Sequence, residues 1–379
     1  MKNEWLAAII GSNSSSSFFI LNSPKELPLP TIHAAQLTSL VSDRLEAAGA
    51  SPAHAARVAR SLVDANLAGY DSHGVQRLLT MLRNIRQGRV KLDAEPFMLR
   101  ETPVIAVVDG DWTFGQVGAR FATELAVRKA GETGLAAVSL VRSHHTGRMA
   151  EWVEIGAQAG LFTMAVTATG NDLSAVVPTG GATGALGTNP MGWGIPRTGG
   201  QPPIIVDFST GATSIGNVQL ARASGQMLPD GLIVDSAGQP TSDPADFFSG
   251  GSILPMGGHK GYALSLVIET LAIALGGGDQ VPTDEHSQAL LVVCIDPDAF
   301  WPDGEWAPTV ERIVQRITTT PPAPDVGRVR LPGEGSAAVR QQRLRDGIPI
   351  PDATWEALTA ATGAGTESTI EQRRESMRG

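Results

Sequence analysis

The stretch GYDSHGVQRL, residues 69–78, places a histidine and an arginine four residues apart. A histidine side chain gains or loses a proton near neutral pH. An arginine guanidinium is planar and binds a carboxylate through two parallel hydrogen bonds. His73 and Arg77 therefore suit a substrate with a carboxylate next to a carbonyl, imine or hydroxyl carbon. A surface histidine beside a solvated arginine is the alternative at this spacing.

Four later stretches carry further candidate groups. In VRSHHTGRMAEW, a strand leads into a helix, and backbone N–H groups near Thr146 and Gly147 could hold an anion. In PIIVDFSTGATS, Asp207 follows an apolar strand, where its carboxylate could orient a histidine or cap the next helix. In MGGHKGYALSLVIET, Lys260 stands at a helix start against the helix dipole, which favours a phosphate there. In VRLPGEGS, Glu334 could cap the following helix.

The elements that position these groups change character along the chain. Residues 31–90 have apolar residues at helical spacing, and Ser51 and Pro52 are typical of a helix start. A third helix is predicted after residue 70, capped by Asp71 or Ser72, with His73 and Arg77 on one side of its first turn. From Val104, short β-branched runs alternate with helical stretches, and more helices follow near the C-terminus. This order predicts an α/β or α+β fold.

Composition excludes several classes of protein. The chain of 379 residues has a formal net charge of −9, which argues against nucleic acid as a partner. The single cysteine, Cys294, rules out an intrachain disulfide and fits a cytoplasmic location. The most apolar stretch, GYALSLVIETLAIALGGG, is short and contains Glu269, so we predict a buried helix rather than a membrane span.

Familiar cofactor and metal motifs are missing. No G-x-G-x-x-G motif follows a strand, and a G-x-G-x-x-A match at residues 333–338 has no βαβ unit after it. The seven histidines form no cluster with metal-ligand spacing, so we predict no metal site.

Seven segments, taken in order, resemble one family across residues 31–350. They are GYDSHGVQRL, SHHTGRMAEW, LGTNPMGWGIP, VDFSTGATS, PTSDP, GGHKGYALSL and VRLPGE. The family is the malate/L-lactate dehydrogenases that lack the Rossmann fold, with ureidoglycolate dehydrogenase, 2,3-diketo-L-gulonate reductase, sulfolactate dehydrogenase and the piperideine/pyrroline-2-carboxylate reductases among its members.

The resemblance implies a mixed α/β fold of non-Rossmann topology. It combines a helical domain made from both chain ends with a mixed-sheet nucleotide-binding domain. The expected divisions are a flexible extension at 1–29, the helical domain at 30–110, the NAD(P)-binding domain at 111–305 and a returning helical segment at 306–379. Members are homodimers with active sites near the subunit interface.

The resemblance also implies roles for individual residues. His73 matches a general acid/base assisted by Ser72 and Asp207, and Arg77 matches the residue that binds the substrate carboxylate. The expected cofactor-site residues are His145, Gly147, Thr169, Asp207, Phe208, Ser209, Lys260, Gly261 and Glu334. The sequence departs from the family pattern at three places. His144 stands where asparagine is frequent, Asn217 where lysine is frequent, and Gly335 and Ser336 where arginine is frequent. These departures leave the preference for NAD or NADP open.

The expected function is an NAD(P)-dependent oxidoreductase. It would transfer a hydride between a nicotinamide and a small 2-oxo or 2-hydroxy acid, or a cyclic 2-imino acid. The alternative is a homologue that binds a carboxylate or a nucleotide without catalysis. The sequence leaves open the substrate's side chain and the physiological direction of the reaction.

Overall fold

A computed structural model describes residues 31–169, 174–276 and 287–361. The extension expected at 1–29 lies outside the described residues. The α-helices in these ranges are α1 Ala34–Ala47, α2 Pro52–Leu67, α3 Arg77–Arg86, α4 Gly115–Thr133, α5 Met149–Gln158, α6 Ile215–Ala223, α7 Pro244–Phe248, α8 His259–Glu269, α9 Ala307–Thr318, α10 Glu334–Asp346 and α11 Asp352–Ala360. The strands are β1 Thr31–Ile32, β2 Phe97–Glu101, β3 Ile105–Asp109, β4 Leu135–Ser143, β5 Phe162–Thr169, β6 Met191–Ile195, β7 Ile204–Phe208, β8 Ile233–Val234, β9 Pro240–Thr241, β10 Ser252–Ile253, β11 Gln288–Ile295 and β12 Ile348–Pro349.

A mixed sheet forms the centre of the described structure. Its strand order is β2-β3-β4-β11-β5-β6-β7, and β3 and β4 are parallel while the other neighbours are antiparallel. Strand β11 is buried on both faces, because Leu290 and Cys294 pack towards α4 and α5 while Leu291 packs with Ile268 of α8. The mixed α/β fold expected from the sequence is confirmed.

The helical part of the fold uses both ends of the described chain. Helices α1, α2 and α3 share one core with Ile348, Ile350 and Leu358. Strand β1 pairs with β12, with Ile32 opposite Ile348. The domain boundaries expected at 110/111 and 305/306 stay predictions.

A smaller unit lies beyond β7. Strands β8, β9 and β10 form a three-stranded sheet, and Ile233 and Ile253 pack with Val218 of α6. This unit places the start of α6 against the turn that carries His73, because a Cβ on Gly216 would lie 2.9 Å from Ser72 Cβ.

The predicted start of the third helix is wrong. Ser51 caps α2 as expected, but α3 begins only at Arg77, and Asp71–His73 form a separate 3₁₀ turn. Asp71 does not cap α3, because its carboxylate accepts a hydrogen bond from Asn66 Nδ2 (2.5 Å). His73 and Arg77 thus lie on two consecutive elements.

The cap expected from Glu334 is also wrong. Gly333 precedes α10 in the left-handed conformation (φ 87°), and Glu334 is the first helical residue. Its carboxylate forms an ion pair with Arg328 (2.8 Å). In the described part of the chain, no helix combines the length and apolarity needed to cross a membrane.

Candidate active site

The 3₁₀ turn presents His73 between a hydroxyl and a second imidazole. Ser72 Oγ lies 3.0 Å from His73 Nδ1. The ring of His145, from the segment after β4, is centred 5.4 Å from the His73 ring. Arg77, at the start of α3, donates from Nε to the Ser72 carbonyl (2.8 Å). The structure therefore brings together four of the residues singled out in the sequence.

The backbone after His145 fixes the tautomer of that ring. The Gly147 N–H donates to His145 Nδ1 (3.3 Å), so Nδ1 is an acceptor and the neutral ring carries its proton on Nε2. The neighbouring Thr146 N–H donates to Gln288 Oε1 (2.9 Å). An anion at this junction, as the sequence suggested, would have to displace these two partners.

Desolvation and positive charge keep both imidazoles neutral. Burial, followed by the charges of Arg77 and Arg148, lowers the pKa of His73 to about 3. Burial, together with Arg77 and His73, places the pKa of His145 well below 6.5. In the protein without substrate, His73 therefore does not titrate near neutral pH as an unperturbed histidine does. An anionic group beside Arg77 would offset one of the charges that depress its pKa.

Asp207, the residue before the last in β7, caps a different helix from the one expected from the sequence. Its Oδ2 accepts a hydrogen bond from the Ala150 N–H (2.9 Å) in the first turn of α5, whereas Ser214 caps α6. Burial raises the pKa of Asp207 to about 6. Among the described residues, no hydrogen bond joins Asp207 to His73, so the relay expected between them is not a direct contact.

The site also contains a buried arginine that the sequence did not single out. Arg148 is 6% exposed, donates to Asp64 (2.8 Å) and lies over the Tyr70 ring at 5.3 Å. Its charge lowers the pKa values of both His73 and Asp207. It stands inside the quoted stretch SHHTGRMAEW, but only the structure shows that it is buried and paired with Asp64 of α2.

The two stretches expected to line a cofactor meet beside α8. The Ala212 N–H donates to the Leu254 carbonyl (2.7 Å), and the Met256 N–H donates to the Thr210 carbonyl (2.9 Å). These bonds place the end of β7 next to the loop that leads into α8. Lys260 is exposed in the first turn of that helix.

A recess lies beside this helix start, where groups suited to a phosphate are found. Its volume is about 320 Å³, and its lining includes Pro178, Ala212, Leu254, Gly257 and Gly258. N–H groups at a helix start together with a lysine are suited to phosphate.

The remaining predicted cofactor residues occupy structural positions. Thr169 ends β5, opposite Gln288. Phe208 packs in the core under α8, and Gly261 is buried so close to Met256 that a Cβ would lie 2.2 Å from its carbonyl oxygen. Contact of Thr169, Phe208, Ser209, Gly261 and Glu334 with a cofactor stays a prediction. Within the described ranges, no group of three His, Cys, Asp or Glu side chains could hold a metal ion.

Comparison with known proteins shows the family of the chain. A family model described as malate/L-lactate dehydrogenase matches residues 32–359. The chain belongs to the malate/L-lactate dehydrogenase family. Members are dehydrogenases and reductases, so the chain is an oxidoreductase, and dehydrogenases of this kind use a nicotinamide cofactor.

Relatives of the family cover nearly the whole described structure. L-lactate dehydrogenase of Cupriavidus necator is 35% identical over 79% of this chain and 88% of its own. The solved structure of malate dehydrogenase from Pyrococcus horikoshii has a TM-score of 0.79 at 29% identity, covering 89% of this chain and 97% of that one. Piperideine-2-carboxylate reductase from Pseudomonas syringae gives a TM-score of 0.76 at 32% identity, covering 88% and 100%.

Proposed function

We propose that this malate/L-lactate dehydrogenase family member transfers a hydride between NAD or NADP and a small 2-oxo or 2-hydroxy acid, or a cyclic 2-imino acid. One observation carries the proposal: His73, its Nδ1 against Ser72 Oγ, lies beside Arg77 and the neutral ring of His145. A proton-transfer group and a carboxylate-binding group are thereby held at one place.

The side chains at the site have separate roles in the proposed reaction. Arg77 uses Nε to hold the Ser72 carbonyl, which leaves its two terminal nitrogens for the substrate carboxylate. His73 uses Nδ1 for Ser72, which leaves Nε2 to exchange a proton with the substrate oxygen or nitrogen. When bound, the nicotinamide supplies or accepts the hydride. Burial, together with the charges of Arg77 and Arg148, lowers the pKa of His73 and so favours its neutral, proton-accepting form.

A substrate panel tests the proposal. Purified protein is assayed with NADH and with NADPH on pyruvate, oxaloacetate, sulfopyruvate, 2,3-diketogulonate and the two cyclic imines, and with NAD and NADP on ureidoglycolate. Turnover of at least one acid is expected. Binding of the reduced cofactor without turnover of any acid would favour the non-catalytic homologue.

Replacing Lys260 by alanine is expected to weaken cofactor binding by about tenfold or more, which corresponds to losing one charge-assisted hydrogen bond. The reason is its position in the first turn of α8, beside the recess lined by Gly257 and Gly258. The measurement is the Kd for NADH or NADPH from fluorescence titration.

The Lys260→Arg variant is the matched control, because it keeps the positive charge at the same helix position. It should bind the cofactor nearly as well as the unmodified protein. Equal Kd values for Lys260→Ala and the unmodified protein would remove this lysine from the cofactor site.

The pH dependence should differ between the two reaction directions. Oxidation needs neutral His73, which free protein already has above its pKa of about 3, so kcat/KM for oxidation should not fall as the pH drops through 6.5. Reduction needs a proton from solution, so kcat/KM for reduction should fall about tenfold per pH unit as the pH rises. A limb near pH 6 in both directions would instead assign the titration to Asp207.

The proposal also includes the oligomeric state and the cellular location of the protein. A homodimer is supported by exposed apolar side chains on and beside the edge strand β2, namely Phe97, Met98, Leu99 and Ile105. The buried state of Cys294 fits the cytoplasmic location predicted from the sequence, which stays a prediction.

A further inference from the structure

Helix α10, which comes from the C-terminal part of the chain, reaches the turn that carries His73. Arg343 donates from Nη1 to Asp71 Oδ1 (2.7 Å) and from Nη2 to Asp71 Oδ2 (3.0 Å). The same Nη1 also donates to the Asn66 carbonyl at the end of α2. The Arg343 side chain is 15% exposed and the Asp71 side chain is 49% exposed, so this two-bond contact lies at the protein surface with the guanidinium on its buried side.

The inner side of the turn is tied to the end of α2. Asn66 is 2% exposed and donates to Asp71 Oδ1 (2.5 Å), while its Oδ1 accepts from the Val75 N–H (2.8 Å). Between these two points, a Cβ on Gly74 would lie 2.2 Å from Asn66 Oδ1. No other residue type fits at this position without moving Asn66.

The turn is also held by other contacts, among them the bond from Arg77 Nε to the Ser72 carbonyl and the close approach of Gly216 to Ser72. Its own backbone supplies two hydrogen bonds, from the His73 N–H to the Tyr70 carbonyl and from the Gly74 N–H to the Asp71 carbonyl. A second contact between α10 and this region runs through Arg340, which pairs with Asp64 of α2 (2.5 Å). The side-chain contacts made at Asp71 are therefore one of several sets of contacts that fix the orientation of His73.

We propose that Arg343 is a positioning residue for the reaction: through Asp71 it fixes the turn that carries Ser72 and His73. This inference rests on the proposed role of His73 in proton transfer. A guanidinium suits the task, because its planar fork engages both carboxylate oxygens and so fixes the direction of the Asp71 side chain as well as its distance.

Two variants remove the contact from either side. Arg343→Gln and Asp71→Asn should each lower kcat by about tenfold, because small displacements of a proton-transfer group are costly. The Kd for the reduced cofactor and the melting temperature should stay close to those of the unmodified protein. Asp71→Asn keeps the side-chain shape, so it serves if Arg343→Gln fails to fold.

Two further variants separate the contact from general effects on the helix. Arg345→Gln removes an exposed arginine from the same helix and should leave kcat unchanged. Arg343→Lys keeps the charge but loses the fork, and should fall between the unmodified protein and Arg343→Gln. Unchanged kcat in both Arg343→Gln and Asp71→Asn would overturn the proposal.

A double-mutant cycle with His73→Asn decides whether Arg343 acts through the histidine. In the His73→Asn background, Arg343→Gln should change the residual kcat by less than about twofold, because the group it positions is gone. An equal loss in both backgrounds would show a separate structural effect and overturn the proposal. Unmodified kcat in His73→Asn alone would instead refute the role of His73 in the proposed function.

Discussion

Replacing His73 by asparagine is expected to lower kcat by about 100-fold or more, while NADH or NADPH still binds. Asparagine is close in size and can keep a hydrogen bond to Ser72 Oγ, but it cannot exchange a proton at neutral pH. The loss should therefore fall on the chemical step. Steady-state kinetics on the acid identified by the panel, with fluorescence titration of the cofactor, measures both quantities.

The control for this prediction is another histidine. His33 is exposed at the start of α1 and makes no side-chain capping bond, so His33→Asn should leave kcat unchanged. Near-unmodified kcat in His73→Asn would contradict the assignment. The proton would then come from His145, whose ring centre lies 5.4 Å away.

Replacing Arg77 by lysine is expected to raise KM for the acid by about 10- to 100-fold, the effect of losing one charge-assisted hydrogen bond. Lysine keeps the positive charge but cannot hold the Ser72 carbonyl and both carboxylate oxygens at once. If the carboxylate is bound equally in the ground and transition states, kcat should change much less than KM.

Arg83→Lys, an exposed change further along α3, is the matched control and should leave KM unaltered. A large fall in kcat with unchanged KM for Arg77→Lys would contradict simple carboxylate binding. It would show instead that Arg77 acts mainly on the His73 turn through the Ser72 carbonyl.

Local patterns predicted most of the regular elements. The apolar run ALLVVCI became the central strand β11, and Ser51 with Pro52 marked the start of α2. These signals succeed because alternating or helical burial and helix capping depend on neighbours within a few residues. The closeness of His73 and Arg77 could be predicted for the same reason, because only four positions of sequence separate them.

The failures have a shared physical cause. The break before α3 depends on Asp71 bonding to Asn66 and Arg343, and the last of these lies far along the chain. Asp207 caps α5 through the Ala150 N–H, a contact between elements that only the sheet order brings together. The spacing of apolar residues does not indicate which distant residues a polar side chain bonds to. Only the structure could identify these long-range polar contacts.

The pairing of β1 with β12 has a consequence for biosynthesis. The ribosome makes the segment with His73 well before Ile348 and Leu358, which complete its core. Contacts of such high sequence separation form late in folding. The nascent chain therefore keeps an incomplete apolar surface around its reactive histidine until these later residues, and the guanidinium of Arg343 with them, have been made.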